Sequence, residues 1–287
     1  MDRYSINTVE QLTGVKAHTL RIWEKRYQSL VPHRTETNIR YYDDAQLKRL
    51  LNISTLIAYG YKISALSSYS NEKIAELMNG LIEPEQDNAE AVLVNLLVSH
   101  MLVYNERSFD KVLSNAIIRY GFYEAMLKVV YPFLRKTGLL WTTSNVTPSQ
   151  EHFASNLIKR KLFTAIDGIP YAERSKSKFI LFLPPDEWHE IGLLLSEYLI
   201  RTAGGDTVYL GQNVPFESVE TAIASVSPTH VLTFLTSPQD IDEKLNAVNA
   251  IGKRSLVKML VYSVSDMKTT LRHIIFLDSP AALLKLI

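Results

Sequence analysis

The 287-residue chain contains no cysteine. Disulfides, cysteine zinc sites and thiolate nucleophiles are therefore excluded. It also lacks an apolar run of the roughly 20 residues that a membrane-spanning helix requires. Its start, Met1-Asp2-Arg3-Tyr4-Ser5, has no apolar stretch of the signal-peptide kind. A cytoplasmic protein without a membrane partner is expected. No sign of charge dominates either: 31 Lys and Arg stand against 30 Asp and Glu. The balance is uneven, because residues 1–76 hold 11 basic and 8 acidic side chains. That excess is too small to argue for nucleic acid by itself, so the arrangement must carry the argument. What is present is the apolar and charged content of a soluble globular protein, with length for two or three domains.

Residues 1–76 read as two helices, a wing and two more helices. Tyr4-Ser5-Ile6 is a short extended entry, and Thr8, with Gln11 three positions on, reads as the N-cap of a first helix that ends at Gly14. A second helix is expected from about Lys16 to Tyr27. Leu20, Trp23 and Tyr27 form its core face, and His18, Arg21 and Lys25 its polar basic face. Such a pair is a helix-turn-helix, whose second helix enters the major groove. Asn38 suits a tight hairpin tip that places Arg40 and Tyr41 on a second wing strand, and Asp43-Asp44 caps the helix that follows. Trp23 has two claims on it, core packing or a phosphate contact through its indole N–H, and buried area favours the core.

This segment resembles the MerR family through Tyr4-Ser5-Ile6, Leu20-Arg21-Ile22-Trp23-Glu24-Lys25-Arg26, Pro32-His33-Arg34 and Arg40-Tyr41-Tyr42, with Asn38 where a wing glycine is usual. The resemblance implies a winged helix-turn-helix on double-stranded promoter DNA. His18 and Arg21 would point to bases or nearby phosphates, Lys25 would share their face, and Arg26, Arg40 and Tyr41 would clamp backbone phosphates. Phosphate contacts position such a protein and base contacts specify the sequence.

The polar stretch Glu83-Pro84-Glu85-Gln86-Asp87-Asn88 reads as a linker. Four helical patterns of similar length follow, at 89–101, 108–120, 122–137 and 149–166, which predict a small bundle over 77–175. Trp141, nine intervening residues, then Glu151-His152 resembles the helical cap of light-responsive cobalamin repressors of the CarH/LitR type. The resemblance implies that Trp141 covers the upper corrin face and that Glu151 and His152 line that pocket. Read on residue types alone, Trp141 is a buried bundle residue and Glu151-His152 the first turn of a capped helix. The residue after the Trp is Thr142, where the light sensors carry a cobalt-capturing His. A hydroxyl is a poor ligand for such a metal, which puts the photochemical end state in question.

From 176 to 287 strands and helices alternate: Phe179–Leu183, Thr207–Leu210, Val231–Leu235, Val257–Tyr262 and Ile274–Leu277 are the strands. That order predicts a doubly wound parallel sheet. His189 lies on the loop leaving the first strand, where open α/β sheets bind ligands. Glu187 is placed to hold one imidazole nitrogen, and Gly192 to let the helix start approach whatever is bound. Glu187-x-His189-x-x-Gly192 resembles the Asp-x-His-x-x-Gly motif of cobalamin-binding domains, in which the His is the lower axial ligand of cobalt. Tyr209-Leu210-Gly211-x-x-Val214-Pro215 resembles a turn of the same domains. Thr233-Phe234-Leu235 stands for their Ser-x-Leu, with the Thr233 hydroxyl implied to bond the buried nucleotide base. Their Gly-Gly, where the cofactor's tail approaches the backbone, is Tyr262-Ser263 here.

The three regions, 1–76, 77–175 and 176–287, follow the order of one family. The first reading is a dimeric or tetrameric repressor whose operator binding is set by a cobalamin, with adenosylcobalamin and light as the sharper form. The second is a regulator that keeps the cobalamin-domain fold without the cofactor and uses it for oligomerisation or protein contact; Tyr262 buried in the tail slot would favour it. The third, a cobalamin carrier enzyme, needs a substrate domain for which the helical region is too small. No enzyme is expected, and His189 is the metal ligand to test.

Overall fold

The computed structural model describes residues 3–27, 31–80, 89–142, 146–173, 175, 177–237, 240–263 and 271–287. The expected linker Glu83–Asn88 and the side chains of Trp141 and Thr142 lie outside them. The chain divides into two compact units, Met1–Leu157 and Ile158–Ile287.

The first unit opens with β1 (Tyr4–Ser5), α1 (Ile6–Thr13), α2 (Ala17–Arg26), β2 (His33–Arg34) and β3 (Arg40–Tyr42), then α3 (Asp44–Ala58), α4 (Ile63–Leu66) and α5 (Asn71–Gly80). β1 and β2 both pair antiparallel with β3, Tyr4 opposite Tyr42 and Arg34 opposite Arg40. Asn38 takes φ 63°, the left-handed turn that the hairpin tip demands. The N-cap of α1 is Ser5, not Thr8: Ser5 Oγ accepts from Thr8 N at 3.1 Å. Pairing of buried Tyr4 with Tyr42 holds Ser5 extended, so the first hydroxyl in the pair takes the capping role. Asp43 caps α3 in a full capping box with Gln46. Trp23 is 8% exposed, a core residue.

α6 (Ala89–Met101), α7 (Glu106–Tyr120), α8 (Phe122–Ala125), a π-helical turn over Met126–Val130, α9 (Tyr131–Thr142) and α10 (Pro148–Asp167) make up the helical region. α8, the π turn and α9 follow one another directly, and the helix runs on through Gly138 to Thr142 rather than ending at 137. A single glycine weakens a helix without stopping it, and no proline follows until Pro148. Phe109, Phe133 and Phe153 meet edge to face across α7, α9 and α10. α6 also packs on α3, where Ser99 Oγ donates to Asn52 Oδ1 at 2.8 Å inside the unit.

In the second unit β4 (Lys178–Phe182), α11 (Ile191–Thr202), β5 (Asp206–Gly211), α12 (Phe216–Val226), β6 (His230–Leu235), α13 (Ile241–Ser255), β7 (Lys258–Ser263), β8 (Ile274–Leu277) and α14 (Pro280–Leu284) build an all-parallel sheet of order β5-β4-β6-β7-β8. Alternate side chains of the central strands pack on opposite layers. Val231, Leu235 and Val261 meet Val219 and Ile223 of α12 and Leu245 and Val248 of α13. Leu232, Phe234 and Leu260 meet Leu193 and Ile200 of α11 and Leu283 of α14. Burial on both faces explains why these strands read as unbroken apolar runs. Ligand sites in such sheets sit outside the strands' carboxyl ends.

Candidate nucleic-acid face and candidate ligand site

Inward Leu20 and Trp23 fix the rotation of α2, so His18, Arg21 and Lys25 emerge on its exposed side, with Arg26 exposed at its end. Arg40 is differently placed. Its Nε donates to Glu24 Oε2 at 2.7 Å and its Nη2 to Glu24 Oε1 at 3.4 Å, and Arg34 from β2 donates to the same carboxylate. Burial would raise the Glu24 carboxyl, but the hydrogen bonds and charges of Arg40 and Arg34 hold it below the usual range. One carboxylate thus ties α2 to both strands of the wing. Tyr41 stacks on His33 with ring centroids 5.3 Å apart and lies under the Arg3 guanidinium at 4.8 Å, while His33 Nε2 reaches Asp43 at 2.9 Å. Six basic or aromatic groups, His18, Arg21, Lys25, Arg26, Arg40 and Tyr41, therefore belong to one helix and its adjoining wing. The bridging role of Glu24 was missed in the sequence; the residue sits inside the quoted motif, but its partners lie 10 and 16 residues away.

In the helical region Trp141 falls in the last turn of α9. Glu151 and His152 fall in the first turn of α10, where Glu151 accepts from Ser155 Oγ at 2.7 Å and His152 Nδ1 lies 3.1 Å from Glu151 Oε2. The pair is joined, with the imidazole outward and the carboxylate partly withdrawn.

The α/β unit builds its loop around Glu187. Pro184 and Asp186, the latter at φ 60°, turn the chain after β4. Asn213 Oδ1 accepts from Asp186 N at 3.1 Å, and Val214 N donates to Leu183 O at 2.9 Å, so the turn after β5 braces the loop. Glu187 is 1% exposed and accepts from Thr236 N at 2.8 Å, Ser237 N at 3.0 Å, Thr236 Oγ1 at 2.8 Å and His189 Nδ1 at 2.5 Å. Burial would push its carboxyl up, but the hydrogen bonds from His189, Ser237 and Thr236 outweigh that and hold it at about 2. A carboxylate only accepts, so His189 carries its proton on Nδ1. The His189 side chain is 67% exposed, and a metal would be met through Nε2. Next to it, Glu190 accepts from Tyr209 Oη at 2.9 Å and lies 3.6 Å from Lys159 Nζ. Burial and the Glu190 charge push the Tyr209 hydroxyl far above its ordinary value.

The other expected positions separate by face. Gly192 lies in the first turn of α11, and a Cβ there would come within 2.6 Å of Phe234 Cε1. What the glycine admits is the ring of Phe234, which sequence reasoning passed over as the middle residue of its motif. Phe234 stacks on Tyr262 with centroids 4.4 Å apart. Thr233 and Leu235 alternate with Phe234 and so turn to the opposite layer. Thr233 is fully buried, and its Oγ1 has no hydrogen-bond partner. Leu235 is a core residue beside α12 and α13. His189 and Glu187 are therefore brought together, while Thr233 and Gly192 are not on one face. Among the described residues no group of three or more His, Asp or Glu side chains is arranged to hold a metal ion.

Comparison with known proteins bears on both regions. Residues 4–79 match the profile of the MerR HTH family regulatory protein, and residues 93–165 match that of the B12 binding domain. The HTH-type transcriptional repressor CarH of Myxococcus xanthus is 27% identical over 265 residues, 88% of this chain and 86% of its own. The repressor CarA of the same organism is 26% identical, over 78% of this chain and 73% of its own. Among solved structures, the Methanosarcina barkeri monomethylamine corrinoid protein superposes with a TM-score of 0.56 at 13% identity, covering 69% of this chain and 98% of that one, a likeness of fold. No helix of the described residues is long and apolar enough to cross a membrane.

Proposed function

We propose that this chain, in which a MerR-type winged helix precedes a B12-binding helical region and a parallel α/β domain, is a non-enzymatic, DNA-binding transcription repressor whose operator occupancy is set by a cobalamin. The observation that carries the cofactor half is the Glu187–His189 pair: a buried, fully bonded carboxylate fixing the tautomer of an exposed imidazole at the end of a strand. The exposed basic side of α2 carries the DNA half.

The residues fit the group in one respect and not in another. The donor chemistry suits cobalt, since Glu187 keeps the proton on Nδ1 and directs Nε2 outward from the loop. The buried, unpartnered Thr233 hydroxyl is a bond waiting for an acceptor or donor, but it turns to the layer opposite Gly192. The room at Gly192 is taken by Phe234. When bound, a cobalamin would supply a metal for the imidazole and, in its adenosyl form, a light-cleavable carbon–cobalt bond. The helical region's part rests on the spacing Trp141, Glu151-His152, and a photoresponse on what Thr142 does in place of the family's His. In this proposal coupling runs through assembly: a dimer or tetramer places several winged domains on one operator, and a ligand preferring one assembly shifts occupancy.

The test is a visible absorption spectrum of the purified chain after incubation with adenosylcobalamin in the dark and desalting. A retained corrin spectrum that His189→Ala loses is expected. Unchanged retention in His189→Ala would remove the ligand role, and a colourless wild-type protein that still binds promoter DNA would remove the cobalamin half. Illumination of the loaded sample then tests the light-dependent form.

A further inference from the structure

We propose that this chain favours a corrinoid lacking a nucleotide tail over one whose tail would insert beside α11. The inference rests on the cobalamin reading above and refines it: a cobalamin is held at His189, but its nucleotide tail is disfavoured, so a corrin without one binds more tightly. Its basis is an aromatic block built where the tail would pass. Three ring atoms of Phe234, Cε1, Cδ1 and Cζ, lie 2.6, 3.0 and 3.1 Å from the position of a Gly192 Cβ, so the ring lies against the helix start with no space between. Its other side is covered by Tyr262, centroid to centroid 4.4 Å and 20° from parallel. Tyr262 is itself pinned, its hydroxyl donating to Ser279 O at 3.0 Å. Leu181, Leu193, Leu260 and Leu283 close the same layer around both rings.

With glycine at 192 and small residues at 234 and 262, the space beside the start of α11 would be open. Here two of the protein's own rings fill it, and a third ring can enter only if Phe234 leaves a nearly fully buried position and Tyr262 gives up the stack and its hydrogen bond. Losing a buried phenyl and an aromatic stack costs about a hundredfold in affinity. The imidazole is untouched by the block: His189 is held from the Glu187 side, on the loop before α11.

The experiment titrates the full chain with cobinamide, a corrin without the nucleotide, and with hydroxocobalamin, following the visible spectrum. The wild type is expected to bind cobinamide at least tenfold more tightly. Tyr262→Gly should narrow that ratio about tenfold by improving cobalamin binding, and Phe234→Leu, a milder change in the same layer, should narrow it less. Wild-type binding of cobalamin as tight as or tighter than cobinamide overturns the inference and leaves the proposed function standing. Retention of neither corrinoid overturns both. The wild-type ratio decides the matter even if the glycine variant fails to fold.

Discussion

Glu24 in the winged region and Glu187 in the α/β unit are both withdrawn carboxylates that organise nitrogen donors from distant segments, yet they leave those donors in different states. Glu24 takes up two guanidiniums: Arg40 spends two of its N–H groups on it, and Arg34 adds at least one more. Glu187 spends backbone amides and a hydroxyl on most of its capacity and leaves its imidazole 67% exposed. The first arrangement fixes the shape of a surface, and the second presents one atom. The difference follows from partners. Arginine carries five donors in a fork and can pair and still reach outward, whereas a neutral imidazole has one donor and one acceptor, so pinning the donor defines what the other nitrogen does.

The largest effect is expected at Glu187. Glu187→Ala removes the acceptor of three amides, a hydroxyl and an imidazole at a site with almost no access to water, and should cost on the order of 3 kcal/mol in urea unfolding. The same number follows from its acid behaviour. Its folded value is about 2 against an ordinary 4.5. The folded state holds fewer protons than the unfolded one between those limits, so the stabilisation is complete above about pH 4.5 and fades as pH falls toward 2. The wild type should therefore lose stability across that window more steeply than Glu187→Ala. Parallel curves would mean that the carboxylate is not ionised in the fold.

A middle-sized effect is expected where the glycine meets the ring. Gly192→Ala puts a methyl 2.6 Å from Phe234 Cε1 and should destabilise by about 1–3 kcal/mol. In a Phe234→Leu background the added penalty should shrink, a non-additivity expected of side chains in contact. Additive losses would show that the two do not share the space.

These two sites also mark where the sequence was legible. The strand Phe179–Leu183 and its neighbours were read within a residue or two because burial on both faces makes them continuous apolar runs. Glu187 beside His189 was readable because the partners are two residues apart. The partnership of Gly192 with Phe234 spans 42 positions, and nothing local marks a ring as the neighbour of a glycine. Local ambiguity misled in one place: Ser5 and Thr8 both offer a capping hydroxyl, and only the pairing of Tyr4 with Tyr42 decides for Ser5. The helix end expected near Gly138 failed because glycine lowers helix propensity without supplying a stop.

The smallest effect is expected at Glu24, and it sharpens the contrast most. Glu24→Gln keeps an acceptor oxygen and removes the charge. Arg40 is 29% and Arg34 37% exposed, so water solvates much of what the carboxylate releases, and the stability loss should be about 1 kcal/mol. The consequence for DNA is of another kind. A guanidinium no longer neutralised by Glu24 carries its full charge to the duplex, so operator binding in Glu24→Gln should depend on salt more steeply by about one phosphate contact. An unchanged slope would place Arg40 on a phosphate already in the wild-type complex, with Glu24 acting only to aim it. In that case the carboxylate of α2 and the carboxylate of the loop after β4 would be the same device, each aiming a nitrogen at a ligand.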